Sequence, residues 1–298
     1  MSTDPSYPTP AAFRRALTDK LKELARKGLW SLPQLQRQIA YDRLLERLYR
    51  VDQGWVLKGA TALLARGIGV RGTIDVDVYR AAAREMAEAD LRSAVEHDID
   101  DWFRFELGAA TQMDDAAKGA RIPVSAYVGA TIWTEFYVDL VGSDVQMTGQ
   151  PDPVPALARV TMPNVEQHGY RAYPLVDHIA DKIAAIMERH GTLQFPSTRF
   201  KDLIDLVAIL TEAAIDAAAQ VNAFRSEVER RGLIPPERFN VPDRALWESG
   251  YAREARRSLL SRAHTLDDAL GIVRPFVDPL LDATAAGTWD PRAHRWTR

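Results

Sequence analysis

Apolar residues recur at helical spacing in two stretches near the start of the chain. Leu17, Leu21 and Leu24 predict a helix over 9–27, with Gly28 as its stop. Ile39, Leu44, Leu45 and Leu48 predict the buried face of a second helix over 32–50, capped by Ser31. The pattern then shortens. Trp55 to Leu57 reads as a strand or the entry to a turn, and Gly59 to Ala65 as a short helix ended by Gly67 and Gly69. Thr73 to Tyr79 alternates strictly, with Ile74, Val76 and Val78 on one face and Asp75 and Asp77 on the other.

A helix is predicted over 82–96, followed by strand-like runs at 102–107, 121–128 and 134–141. The proline-rich stretch 151–155 reads as a linker or loop, and Val160 to Met162 as a further short strand. From Pro174 the pattern is almost entirely helical, with helices near 174–190, 197–213, 215–231, 243–261 and 265–283. The expected fold class is α+β: a mixed β-sheet core with flanking helices and an α-helical C-terminal domain. Expected boundaries are 1–52 for helices packing on the core, 53–165 for the core and 166–298 for the helical domain.

Composition narrows the chemistry. With 298 residues, the chain is long enough for two such parts. It has no cysteine, which excludes disulfides, thiolate metal sites and cysteine nucleophiles. The formal charge of −3 marks no global affinity for nucleic acid, so any such contact needs a local basic patch. The start lacks a basic region followed by an apolar one, and no apolar run approaches the ~20 residues that span a bilayer. The expectation is a cytoplasmic chain with no membrane partner.

Residues i and i+2 of a strand share a face. Asp75 and Asp77 therefore stand side by side and could hold one divalent metal ion, Mg²⁺ or Mn²⁺, through hard oxygen ligands. Asp139, in the β-prone run Phe136-Tyr-Val-Asp-Leu-Val141, is the best third ligand, because a carboxylate in such a strand needs a partner to be buried. Taken alone, Asp-x-Asp also suits a solvated strand face. The Gly59-Ala60-Thr61 turn follows a strand-like segment and opens a helix, so its amides, the Thr61 hydroxyl and the neighbouring Lys58 could meet a phosphate. It also reads as a plain turn. No P-loop and no nucleophile elbow is present.

Lys58-Gly-Ala-Thr-Ala-Leu-Leu64, followed by Arg71-Gly-Thr-Ile-Asp-Val-Asp77, resembles the AbiEii family of nucleotidyltransferase toxins, whose mycobacterial members are called MenT. That family belongs to the DNA polymerase β-like nucleotidyltransferases. Asp181-Lys-Ile-Ala-Ala185 and Lys201-Asp-Leu-Ile-Asp-Leu206 resemble its two downstream helical motifs, with Lys201 where the family has Arg and Arg199 close by. The resemblance runs from about residue 40 to about residue 215. It implies that Lys182 and Thr73 bind the NTP, and that Asp202 is a further active-site carboxylate. It also implies transfer of a nucleotide, often a pyrimidine, to the 3′ acceptor end of tRNA, and a cognate antitoxin.

Arg225, Arg230, Arg231, Arg253, Arg256 and Arg257, with Trp247 and Tyr251 nearby, could serve tRNA by phosphate contact and base stacking. Arg/Glu pairing on solvated helices would explain the same arginines. Two other readings remain: a small-molecule or protein hydroxyl as acceptor, and a non-catalytic binding or regulatory protein.

Overall fold

A computed structural model describes residues 7–113, 119–142, 147–158, 160–163 and 165–297. The chain divides into two compact units. The first comprises Met1–Arg66, Thr73–Gln146 and Pro153–Ala172; the second comprises Gly67–Gly72, Met147–Asp152 and Tyr173–Arg298.

In the first unit, α1 (Pro10–Lys27) buries Phe13, Leu17 and Leu21, and the Thr9 hydroxyl caps its N-terminus. The helix α2 (Leu32–Val51) begins with a Ser31/Gln34 capping box. It is buried over most of its length, charged residues included. Arg47 survives that burial because Asp101 receives its guanidinium fork at 3.0 and 2.8 Å and the Phe103 carbonyl accepts at 2.7 Å. Next come β1 (Trp55–Leu57), α3 (Gly59–Ala65), β2 (Asp75–Arg80), α4 (Arg84–Val95), β3 (Phe103–Leu107), β4 (Thr111–Gln112), β5 (Ala120–Val128), β6 (Thr131–Val141), β7 (Asp152–Val154) and β8 (Tyr170–Ala172).

These strands form one mixed sheet in the order β3-β5-β6-β2-β1-β8-β7, with β4 also on β5. The β2/β6 and β1/β8 pairs are parallel, while β1/β2, β3/β5 and β5/β6 are antiparallel. Alternation decides which face is dry. Val76 and Val78 of β2, Ile122 and Val124 of β5, and Val138 and Leu140 of β6 are all buried. Ile74 departs from its expected place on that face. The strand begins at Asp75, and Ile74 is 56% exposed, its carbonyl accepting from Tyr137 N–H.

Two loop expectations also change. The stretch 151–155 contains β7, an edge strand, where Pro153 needs no ladder donor. Val160 to Met162 forms no strand, only a single bridge between Met162 and Val165. Because β8 pairs with β1, residues 170–172 belong with the sheet rather than with the helices that follow.

In the second unit, α5 (Leu175–Met187), α6 (Phe200–Glu212), α7 (Ala217–Arg231), α8 (Arg244–Arg257) and α9 (Leu266–Leu281) match the five expected helices. The centre is α6, which buries ten of its residues and packs against α5, α8 and α9. The C-terminal part is not purely helical. Numbering the remaining strands on from the sheet, β9 (Arg189–His190) pairs with β10 (Phe195–Pro196). A second small sheet joins β11 (Ile215–Asp216), β12 (Thr288–Asp290) and β13 (Arg295–Thr297). The anchor of that sheet is Trp289, fully buried against Phe276, with its indole N–H donating to the Leu210 carbonyl. Strands of two or three residues are too short to leave a period in the sequence.

No helix among the described residues is long and apolar enough to cross a membrane.

Candidate active site

The carboxylates of the first unit lie on one face of the sheet by register. Asp75 pairs with Tyr137 and Asp77 with Asp139 across the parallel β2/β6 ladder. Across the antiparallel β5/β6 ladder, Asp139 faces Arg121. Asp75 and Asp77 are half-buried, whereas Asp139 is buried.

Local contacts fix the strand that bears the pair. Lys58 N–H donates to the Asp77 carbonyl at 2.8 Å, and the Thr61 hydroxyl to the Asp75 carbonyl at 3.1 Å. The Tyr41 hydroxyl donates to the Thr73 carbonyl at 2.9 Å; burial holds that phenol well above its usual range. The Thr73 hydroxyl bonds the Asp75 carboxylate. At Gly59 the backbone is left-handed (φ +58°), and a Cβ there would overlap the Asp77 carboxylate. The glycine thus admits the acid as well as the turn. Ala60 and Thr61 are buried, and the Thr61 hydroxyl is committed to backbone.

Arg121 brings a guanidinium onto this face. Its Nε donates to Asp139 Oδ1 at 2.8 Å and its Nη2 to Asp139 Oδ2 at 2.6 Å, while Nη2 lies 3.5 Å from Asp75 Oδ2. The guanidinium also sits over the Tyr137 ring, 5.3 Å from its centroid. Sequence reading missed Arg121. Only the β5/β6 register sets it opposite Asp139.

A second charged cluster lies within the other unit. Lys182, 5% exposed, donates from Nζ to Asp202 Oδ1 at 2.8 Å and to Asp205 Oδ2 at 2.7 Å. Asp205 also receives the fork of Arg71, both bonds at 2.8 Å, and Asp202 receives Arg199 Nε at 2.6 Å. Burial pushes both carboxyls up, but the charges of Lys182 with Arg71 or Arg199 more than offset it. Asp205 is held well below the usual carboxylate range and Asp202 below it. Burial likewise pulls Lys182 down, and the two aspartates reverse the sign. Lys182, Arg71 and Arg199 thus surround the two buried carboxylates.

Residues 43–278 match the family described as nucleotidyl transferase AbiEii toxin, Type IV TA system. The chain belongs to the AbiEii nucleotidyltransferase toxin family. It is therefore a nucleotidyltransferase, and that family implies an NTP substrate and an antitoxin. The fold is similar to that of MenT4, a nucleotidyltransferase toxin from Mycobacterium tuberculosis. The TM-score is 0.51 at 14% identity, over 90% of this chain and 98% of that one. JHP933 from Helicobacter pylori matches at 15% identity over 87% of each chain, with a TM-score of 0.39. No curated protein sequence matches.

Seen as an AbiEii member, the chain brings its expected residues together in two groups. Asp75, Asp77, Asp139, Thr73, Lys58, Gly59, Ala60 and Thr61 surround the sheet face, and Lys182 and Asp202 fall in the buried cluster. Among the described residues, no three acidic or histidine side chains converge as metal ligands do. The donor set still suits a hard cation, because Asp75 and Asp77 offer carboxylate oxygens on one half-buried face. Asp139 meets Arg121 instead.

The neighbouring acids Asp181 and Glu188 on the same segment pair with Arg231, at 2.7 and 2.8 Å, rather than with Lys182. Arg199 is the basic residue at Asp202, and Lys201 is exposed. His178, on the same helix, is buried edge-on to Tyr173.

The aromatic half of the expected RNA surface needs correction. Trp247 and Tyr251 are fully buried, donating to the Ser197 and Ala263 carbonyls, so neither offers a ring face to a base. Arg230 and Arg231 are tied to Glu227. Arg225, Arg253, Arg256 and Arg257 remain exposed on α7 and α8.

Proposed function

We propose that the chain is a Mg²⁺-dependent toxin that transfers a nucleotide, a pyrimidine, from NTP to the 3′ acceptor end of tRNA and so blocks translation in the cytoplasm. The observation that supports it best is the register: Asp75 and Asp77 side by side on β2, with Asp139 the lateral neighbour of Asp77 on β6. Mg²⁺ or Mn²⁺, when bound, would stabilise negative charge on the attacking and leaving oxygens.

In this reading Asp75 and Asp77 hold the cation, with Asp139 as the third ligand. Thr73 fixes the Asp75 carboxylate, and Gly59 leaves room for that of Asp77. Lys58 and the Gly59-Ala60 turn contact phosphate. The RNA 3′-hydroxyl oxygen forms a bond to the α-phosphorus as the bond to the bridging oxygen of the β-phosphate breaks. Pyrophosphate leaves with the electron pair, and the hydroxyl proton passes to a carboxylate or to water.

Lys182 keeps the triphosphate role implied by the family, supported by the way Asp202 and Asp205 hold its ammonium charged in a buried position. Asp202, engaged by Lys182 and Arg199 and held acidic, acts there by positioning Lys182 rather than as a base. The exposed arginines of α7 and α8 supply the phosphate contacts to tRNA. The cognate antitoxin would suppress the activity.

Incubation of the purified chain with labelled CTP or UTP, Mg²⁺ and total tRNA tests this reading. Label on the tRNA 3′ end is the expected outcome. Label on a protein or small molecule would replace tRNA as acceptor, and no transfer from any NTP would remove the catalytic reading.

A further inference from the structure

One of the chain's own cations already occupies part of the carboxylate face. Arg121 Nη2 lies 2.6 Å from Asp139 Oδ2 and 3.5 Å from Asp75 Oδ2. It thus stands between two acids from adjacent strands, where a shared cation would stand. The Arg121 fork meets both oxygens of Asp139 side-on, the strongest geometry open to a guanidinium and a carboxylate. The Asp139 side chain is 5% exposed, and that of Arg121 is 42% exposed. The acid is therefore buried beneath a cation that water can reach.

A divalent ion at Asp139 would need oxygen lone pairs now facing the fork. It would also bring two positive charges beside a third in a partly desolvated site, where like charges repel far more than in bulk water.

We infer that Arg121 is a resident counter-cation of the nucleotidyltransferase face, competing with divalent metal for Asp139 and Asp75 and so setting how tightly the face takes up its ion. It is a positioning residue: it holds Asp139 in place before the ion arrives and must give way when Asp139 becomes a ligand. The inference rests on the reading of Asp75 and Asp77 as cation ligands.

Mn²⁺ binding to the full chain, followed by electron paramagnetic resonance of the free ion, tests it without reference to turnover. Four proteins are compared: wild type, Arg121→Gln, Arg121→Lys and the double variant Arg121→Gln/Asp139→Asn. Arg121→Gln is expected to bind Mn²⁺ about tenfold more tightly than wild type, and Arg121→Lys, which keeps charge but loses the fork, to gain less. The double variant is expected to lose the gain.

Equal affinity in wild type and both single variants would overturn the role of Arg121 and leave the metal reading standing. A gain that persists in the double variant would overturn it too, since removing any nearby positive charge would do the same. Absence of Mn²⁺ binding in all four would overturn the metal reading, and this inference with it. If Arg121→Gln fails to fold, Arg121→Lys with wild-type affinity overturns the inference.

Discussion

Lys182 Nζ lies 2.7 Å from Asp205 Oδ2, between two helices of the second unit that each bury the participating residue. Such an arrangement is sensitive to the loss of the lysine, because each buried carboxylate gives up a charged hydrogen bond with no water to replace it. Asp202 and Asp205 keep Arg199 and Arg71 after Lys182→Met, but each loses its most buried cation. The variant is expected to be destabilised by about 1.5–3 kcal/mol in urea unfolding. A surface lysine would cost no more than about 0.5 kcal/mol, so a loss that small would contradict the geometry.

Two buried acids give opposite pH dependences. Burial pushes Asp42 up to about 6, against hydrogen bonds from Tyr170, Ala158 and Leu157 that pull it down. The folded state therefore holds that proton more tightly than the unfolded state. Its contribution is fully present below the ordinary value of 3.8 and is lost as pH rises through about 6. The span corresponds to about 3 kcal/mol. Asp205 has the opposite sign: held low in the fold, it contributes above its ordinary value and loses that contribution as pH falls below it. Urea midpoints measured across the acid range should show Asp42→Asn flattening the slope between about pH 4 and pH 6. Asp205→Asn should flatten it only below that window. A slope unchanged by Asp42→Asn would contradict the first assignment.

Gly59 is the most demanding backbone position near the carboxylates. Alanine there meets both a left-handed φ of +58° and the Asp77 carboxylate. Gly59→Ala is expected to cost about 1–2 kcal/mol from the backbone alone. By displacing Asp77 it should also lower nucleotide transfer by about two orders of magnitude. Thermal melting and initial rates on one preparation check both. A variant with wild-type rate would mean that Asp77 does not need its present position.

Much of this was legible in the sequence, for identifiable reasons. The strict alternation through Val76 and Val78 set Asp75 and Asp77 on one face, and long amphipathic repeats gave α1, α2 and the five later helices close to their observed ends. The order of the Lys58, Arg71, Asp181 and Lys201 motifs carried the family.

What was not legible depended on register or on burial of charge. Arg121 is far from Asp139 in sequence, and only strand pairing brings them together. Lys182, Asp202 and Asp205 have the spacing of a solvated helix stripe, so the dry ion cluster emerges only when α5 meets α6. Trp247 and Tyr251 looked available beside their arginines because a helix face cannot be assigned from neighbours alone, and both point into the core. The short β11-β12-β13 sheet had no period to read.

The most direct measurement is transfer of labelled nucleotide in the presence of Mg²⁺ by wild type, Asp75→Asn and Asp77→Asn, with thermal melts alongside. Asparagine is close to aspartate in size, so each variant is expected to fold, and the melts set the temperature at which the rates are compared. Each should lose transfer by about three orders of magnitude, on the scale of removing a principal electrostatic group from an active site. Wild-type transfer by either folded variant would contradict a carboxylate pair at the centre of the chemistry.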